Sequence, residues 1–292
     1  MPFLGLILIS FGASAMVGGK AVLPSDPLVF QVAQIATWSE SHTSSKTFDG
    51  DVISENSKRV VPNCTATFVA EDLLLTAAHC IVKPNSLKPD LGWQAMTAIQ
   101  FHGVGRLMDG SREMSFNIVD SRVPATGQDM ALVKIDRKFS GRGLSLLLRE
   151  PHADETILSY GFGEKTPLNI KIGFSVEAAS PALIQTLSPK FFTQPVATAL
   201  SQDSFQSVKQ TSGSITLLKK SGRGGHCYGD SGGPNFVKTE KGYSIVGVTI
   251  QVMPTEDSWA CLDKSAIVNV SALEPWLNQA ARELGGSLRW NR

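Results

Sequence analysis

The sequence holds no run of about 18 apolar residues, the length a helix needs to cross a bilayer, so no transmembrane helix or membrane anchor is expected. Like charges form no block, and 27 Lys and Arg nearly balance 26 Asp and Glu, leaving a net charge of +1. Such a balance gives no electrostatic reason to expect nucleic acid as a partner. Cysteine is sparse, and none of the four residues forms a C-x-x-C pair, which argues against a zinc site. No acidic loop marks a calcium site, and no internal repeat points to a solenoid. Nothing here calls for a cofactor or a metal.

What is present starts at the N-terminus. Pro2 to Ala15 carries no charge, Phe3 to Phe11 is almost wholly apolar, and Ala13-Ser14-Ala15 supplies an A-x-A cleavage site. Residues 1–15 therefore read as a secretory signal peptide, although the expected basic residue at its start is missing. The alternative is a buried strand or an ordinary apolar N-terminus. The expected location is secreted or periplasmic, and the even count of Cys64, Cys80, Cys227 and Cys261 favours two disulfides there. The count alone leaves all three connectivities open.

Short, partly alternating runs recur along the chain: Phe30 to Ile35, Thr65 to Val69, Met130 to Ile135 and Tyr243 to Ile250. Clusters of Gly, Pro, Asp and Ser punctuate them, which is the pattern of an all-β fold. The polar stretch from Ser39 to Ser57 reads as a long surface loop, and a boundary falls between Ser140 and Asp154. Leu273, Trp276, Leu277 and Ala280 recur at helical spacing, predicting a terminal helix with Ser271 as N-cap and Gly285 beyond its end.

Three segments carry chemistry. Gly229-Asp230-Ser231-Gly232-Gly233-Pro234 places a serine in a turn whose glycines let the backbone present N–H groups. Thr76-Ala77-Ala78-His79-Cys80 places an imidazole after an apolar run, and Asp129 opens the run Met130 to Val133. Amide hydrolysis at neutral pH needs a nucleophile, a base to activate it and donors for the developing oxyanion. Taken singly, each segment also reads as an ordinary turn or strand end. Together, in the order His, Asp, Ser, they resemble the chymotrypsin/trypsin family of serine proteases over nearly everything after Ala15.

That resemblance implies two packed antiparallel six-stranded β-barrels with a C-terminal helix. Residues 16–140 would form the first barrel, and residues 141–292 the second barrel and helix. It implies Ser231 as nucleophile, His79 as general base and acid, and Asp129 as the group orienting His79. The N–H groups of Gly229 and Ser231 would form the oxyanion hole. Disulfides Cys64–Cys80 and Cys227–Cys261 would follow, and Gly161-Phe162-Gly163 would open the second barrel. Asp230 would pair with the α-amino group of a chain starting at Met16. No Lys or Arg precedes Met16, so signal cleavage after Ala15 would free that amine directly.

The substrate pocket departs from the pattern. Gly225 stands where trypsin-like members carry Asp, so a preference for Arg or Lys at P1 is not implied. His226 is either a polar group in the pocket or a wall residue turned elsewhere. Thr249 could hydrogen-bond Asp129, and Gln251 should narrow the pocket mouth. Asp263 and Ser265 fall near its back wall. The expected partners are protein or peptide substrates and protein inhibitors, and the expected state is a monomer. Two other activities stay open: a non-catalytic binding protein on the same fold, and an esterase with little peptidase activity.

Overall fold

The computed structural model describes residues 20–21, 25–46, 52–81, 96–109, 112–152, 155–163, 196–201, 208–210, 213–220, 226–227, 229–253 and 264–292. Residues 1–15, expected to be a signal peptide, and Met16, Gly225, Cys261 and Asp263 lie outside them. Strands dominate. After β1 (Lys20–Ala21), the first barrel is built from β2 (Val32–Lys46), β3 (Val52–Phe68), β4 (Leu73–Thr76), β5 (Met96–Asp109), β6 (Arg112–Arg122) and β7 (Ala131–Ile135). These six close in the order β2-β3-β4-β7-β6-β5, every pair antiparallel.

The second sheet uses β8 (Ser145–Leu147), β9 (Thr156–Gly161), β10 (Val196–Ser201), β11 (Val208–Gln210), β12 (Gly213–Lys220), β13 (Pro234–Thr239), β14 (Gly242–Met253), β15 (Lys264–Asn269) and β16 (Trp290–Asn291). Its central order is β10-β9-β13-β14-β15-β12, and a further pairing of β10 with β12 closes that ring. Two six-stranded antiparallel rings are thus present, as the resemblance implied. β1 crosses over, pairing with β10 of the second ring rather than with the first.

The predicted loop from Ser39 to Ser57 is not a loop at the positions described. Beyond a bulge near Ala36 and Pro62, β2 and β3 stay paired from Thr37↔Val61 out to Lys46↔Val52. Pro62 sits where it must, because it has no N–H for a ladder. On its other side β2 pairs with β5 out to Ser44↔Met96. The sequence signal for a strand is apolar alternation, and this Ser- and Thr-rich segment has none. Its conformation comes instead from main-chain ladders on both sides of β2.

One core runs through the first barrel and into the second. Phe68 is fully buried, stacks on Phe139 at 4.5 Å between ring centroids and meets Phe116 edge-on at 6.3 Å. The same cluster continues through Tyr160, Phe236 and Val248 to the terminal helix, while Leu147, Ile157, Leu218, Val237, Val246 and Ile267 form a second cluster. That helix, α1, spans Glu274–Glu283 and buries Leu277, Ala280 and Ala281. The expected N-cap, Ser271, instead lies inside a 3-10 turn, Val270–Leu273, that precedes the helix. Leu273 takes the cap position without a side-chain bond, and Pro275 pre-sets the first turn.

At the other end Gly285 turns the chain with its N–H on the Arg282 carbonyl. Lys134 of β7 donates to the Leu284 carbonyl at 2.8 Å and pairs with Asp72 at 2.8 Å, so a helix C-terminus is capped by a cation of the first barrel. Among the described residues no helix is long and apolar enough to cross a membrane. Replacing Phe68 by alanine should destabilise the fold by about 3–5 kcal/mol through cavity formation, read as a lower denaturant midpoint at unchanged slope.

Candidate active site

Strand pairing brings the predicted His and Asp together. β4 and β7 are antiparallel neighbours with Thr76 opposite Ala131, so the end of one lies beside the start of the other. His79 follows three residues after Thr76, in the 3-10 turn Ala78–Cys80, and Asp129 stands two residues before Ala131. Their contact is double. The His79 main-chain N–H donates to Asp129 Oδ1 at 2.8 Å, and His79 Nδ1 lies 2.6 Å from Asp129 Oδ2. With Nδ1–H directed at the carboxylate, Nε2 is left as the basic nitrogen. The site is open, with the His79 side chain 42% and the Asp129 side chain 31% exposed.

Ser231 comes from the second ring, in the turn before β13. Its carbonyl accepts the Thr65 N–H at 2.8 Å, and Cys80 Sγ lies 3.6 Å from the same oxygen. Thr65 belongs to β3 of the first barrel and is completely buried. Its hydroxyl donates to the Gly229 carbonyl at 2.9 Å and accepts the Phe162 N–H at 3.1 Å. Its carbonyl accepts the Thr76 hydroxyl at 2.8 Å. Thr65 thus joins the strand before His79 to the serine turn and to the end of β9. Neither Thr65 nor Thr76 stood out in the sequence. The available signal was their position, directly after Cys64 and three residues before His79.

Cys64 and Cys80 are disulfide-bonded, as the resemblance implied. The two sulfurs and a ring nitrogen of His79 lie within 4.8 Å of one another, but bridged sulfurs are not thiolates and cannot ligate a metal as such. Cys227 is also disulfide-bonded, and its expected partner Cys261 lies outside the described residues.

The serine turn has the backbone its glycines permit. Gly229 and Gly232 have φ of 94° and 83°, in the left-handed region. A Cβ on Gly232 would also stand 2.1 Å from Thr76 Oγ1 and 2.2 Å from the Thr65 carbonyl oxygen. Among the described residues, no acceptor takes the N–H of Gly229 or Ser231. Asp230 is fully buried, with Oδ2 accepting the Cys227 N–H at 2.7 Å and Oδ1 the Gly163 N–H at 2.8 Å. Burial pushes its carboxyl up to about 7 from an ordinary 3.8, against those two bonds.

The expected substrate contacts fall differently. Thr249 does not bond Asp129. Its hydroxyl takes Asn235 Nδ2 at 2.9 Å and lies 3.1 Å from His226 Nε2, while the Asp129 oxygens are occupied by His79. His226 is 1% exposed, and burial lowers its imidazole to about 3. Ser265 is buried and meets His226 Nδ1 at 2.6 Å. Gln251 pairs with Ala266 across a bulge in β14, and Gly225 lies outside the described residues.

Two β-rings, a carboxylate-bound histidine on one and a glycine-flanked serine turn on the other, make the architecture of a two-barrel serine protease. The trypsin family model matches residues 39–276, and the chain belongs to that family of serine proteases. Among solved structures it is similar to neuropsin, a serine protease expressed in the limbic system of mouse brain. The match covers 90% of this chain and 98% of that one at 14% identity, with a TM-score of 0.54, and speaks for the fold. Among curated proteins, none matches significantly by sequence.

Replacing Cys64 and Cys80 together by serine should cost about 3 kcal/mol, the value for a closed loop of roughly this length. The denaturant midpoint should fall accordingly, and a midpoint equal to the parent's would show that the bridge adds nothing.

Proposed function

We propose that this chain is an exported serine endopeptidase acting through Ser231, His79 and Asp129. The double hydrogen bond between His79 and Asp129 is the observation that carries the reading. Fixing Nδ1–H on the carboxylate leaves Nε2 to accept a proton, and fixing the main-chain N–H holds the turn that aims the ring. Ser231 Oγ attacks the scissile carbonyl carbon as its proton passes to His79 Nε2. The carbonyl π pair moves onto oxygen, where the N–H groups of Gly229 and Ser231 receive it. The C–N bond then breaks, His79 returns the proton to the leaving amine, and an acyl-Ser231 ester remains. Water repeats the sequence and releases the acid.

The disulfide supports an oxidising destination, secreted or periplasmic, in keeping with residues 1–15 as a signal peptide. Protein and peptide substrates suit the family, and a monomer with protein inhibitors as further partners completes the reading. Gly225 places no carboxylate for a basic P1 residue, and a peptide-library cleavage profile would test this. Covalent labelling by a fluorophosphonate tests the nucleophile. Label should enter the parent and not Ser231→Ala, whose peptide hydrolysis should fall about 10⁶-fold. An unlabelled parent would favour the non-catalytic alternative, and label with ester but no peptide turnover the esterase. Asp129→Asn should keep the fold and lower kcat about 10⁴-fold, because the wrong imidazole nitrogen then carries hydrogen.

Asp230 awaits a cation in this reading, the Met16 amine. Met16 stands four residues before β1, whose Ala21 is opposite Val196 and through it beside Gly161. Gly161 in turn abuts Asp230. A carboxyl whose pKa rises on folding binds its proton more tightly in the folded state. Its contribution to stability is fully present below pH 3.8 and is lost as pH rises through about 7. A chain with a blocked or extended N-terminus should therefore lose thermal stability across that window, relative to a chain starting at a free Met16. Parallel stability curves for the two forms would overturn the pairing.

A further inference from the structure

His226 is a buried titratable group that the hydrolysis scheme leaves unused. Both of its ring nitrogens are engaged, Nδ1 with Ser265 Oγ and Nε2 with Thr249 Oγ1. The chain of bonds continues through Asn235, whose Nδ2 donates to Thr249 Oγ1 and whose Oδ1 accepts the Ser159 hydroxyl. All five side chains are buried.

The order of protons along this chain follows from its chemistry. An amide nitrogen only donates, so Thr249 Oγ1 accepts from Asn235. The one hydroxyl hydrogen of Thr249 then has the Nε2 lone pair of His226 as its acceptor among the described residues. Nε2 is therefore unprotonated, Nδ1 carries the hydrogen, and Nδ1–H donates to Ser265 Oγ. A proton on Nε2 would leave the buried Thr249 hydrogen without an acceptor among the described residues. Burial keeps the imidazole neutral and spares it that.

Thr249 does more than hold a histidine. Its carbonyl accepts the Gly232 N–H at 2.7 Å, and its N–H donates to the Gly233 carbonyl at 3.0 Å. One residue of β14 thereby grips both ends of the segment that carries the chemistry, residue 226 by its hydroxyl and residues 232–233 by its main chain. Between those ends lie Gly229 and Ser231, the expected oxyanion donors. Glycine at positions 229, 232 and 233 leaves this segment much backbone freedom to lose.

We propose that the Thr249–His226 hydrogen bond is a clasp that ties His226 to the backbone of Gly232 and Gly233, and that His226 is a neutral positioning residue of the protease. The proposal rests on the protease reading above. It also settles which face of His226 matters: with both nitrogens bonded to hydroxyls, the ring brings no charge to a substrate side chain.

Two measurements test it. In the intact protein with ¹⁵N-labelled histidine, the His226 signal, assigned by its loss in His226→Gln, should show a neutral Nδ1–H tautomer. It should not titrate from about pH 5 to about pH 9, where an ordinary imidazole does. An Nε2–H tautomer or a titrating ring would overturn the clasp. In the second, Thr249→Val should lower kcat roughly three- to tenfold with KM little changed, the loss expected for one buried hydrogen bond. Thr249→Ser, which keeps the hydroxyl, should recover most of that loss. Equal deficits in Val and Ser, or a Val variant matching the parent, would overturn it. If the parent takes no fluorophosphonate, the protease reading fails, while the tautomer still judges the clasp.

Discussion

Thr65 is the residue on which the two halves of the site depend. Two β-rings pack well enough through apolar side chains, but apolar packing is not directional. Hydrogen bonds are, and Thr65 commits its N–H, its carbonyl and its hydroxyl at the junction. Its N–H and hydroxyl reach the carbonyls of Ser231 and Gly229. The serine turn is therefore located relative to β3, and β3 through Thr76 relative to the turn that bears His79. The disulfide between Cys64 and Cys80 reinforces the same connection, since its two cysteines flank Thr65 and His79 in sequence. A catalytic geometry shared between two rings needs such a joint, because a displacement of about 1 Å at the reacting atoms costs about 10²-fold in rate.

Asp129 and Asp230 show how one residue type serves two ends. Asp129 is partly exposed and its oxygens are filled by a single histidine. Asp230 is sealed from solvent and held by two peptide N–H groups, so its charge is costly unless a cation meets it. The first fixes the ring of His79. The second ties the main chain at Cys227 to the main chain at Gly163.

The segments around His79, Asp129 and Ser231 stood out in the sequence because the chemistry proposed for them tolerates few residue types. Gly229 and Gly232 need left-handed φ, and a serine between such glycines after Cys227 is a rare string. The terminal helix was legible from the spacing of Leu273, Leu277 and Ala280, yet its start was misplaced, since Ser271 fell into a 3-10 turn that spacing does not reveal. The paired extension of β2 and β3 was read as a loop because polar strands carry no apolar alternation. Thr65 and the partners of Thr249 escaped for another reason. Their roles are set by residues far off in sequence, 164 positions away for Thr65 and Gly229 and 23 for Thr249 and His226. A local reading sees only a threonine in a strand.

Lys134 of the first barrel finds its acceptor at Leu284, 150 positions later, and β1 finds its partner strand at β10. Contacts of such long range form late, because loop closure must precede them. Chains emerge from the N-terminus, so the first ring is made before the residues that complete the candidate site. His79 and Asp129 can meet early, but Thr65 has no serine turn to hold until the second ring is in place. A nascent or truncated chain therefore carries the paired His79 and Asp129 without the turn that bears Ser231, which takes its place only when the last elements close on the first.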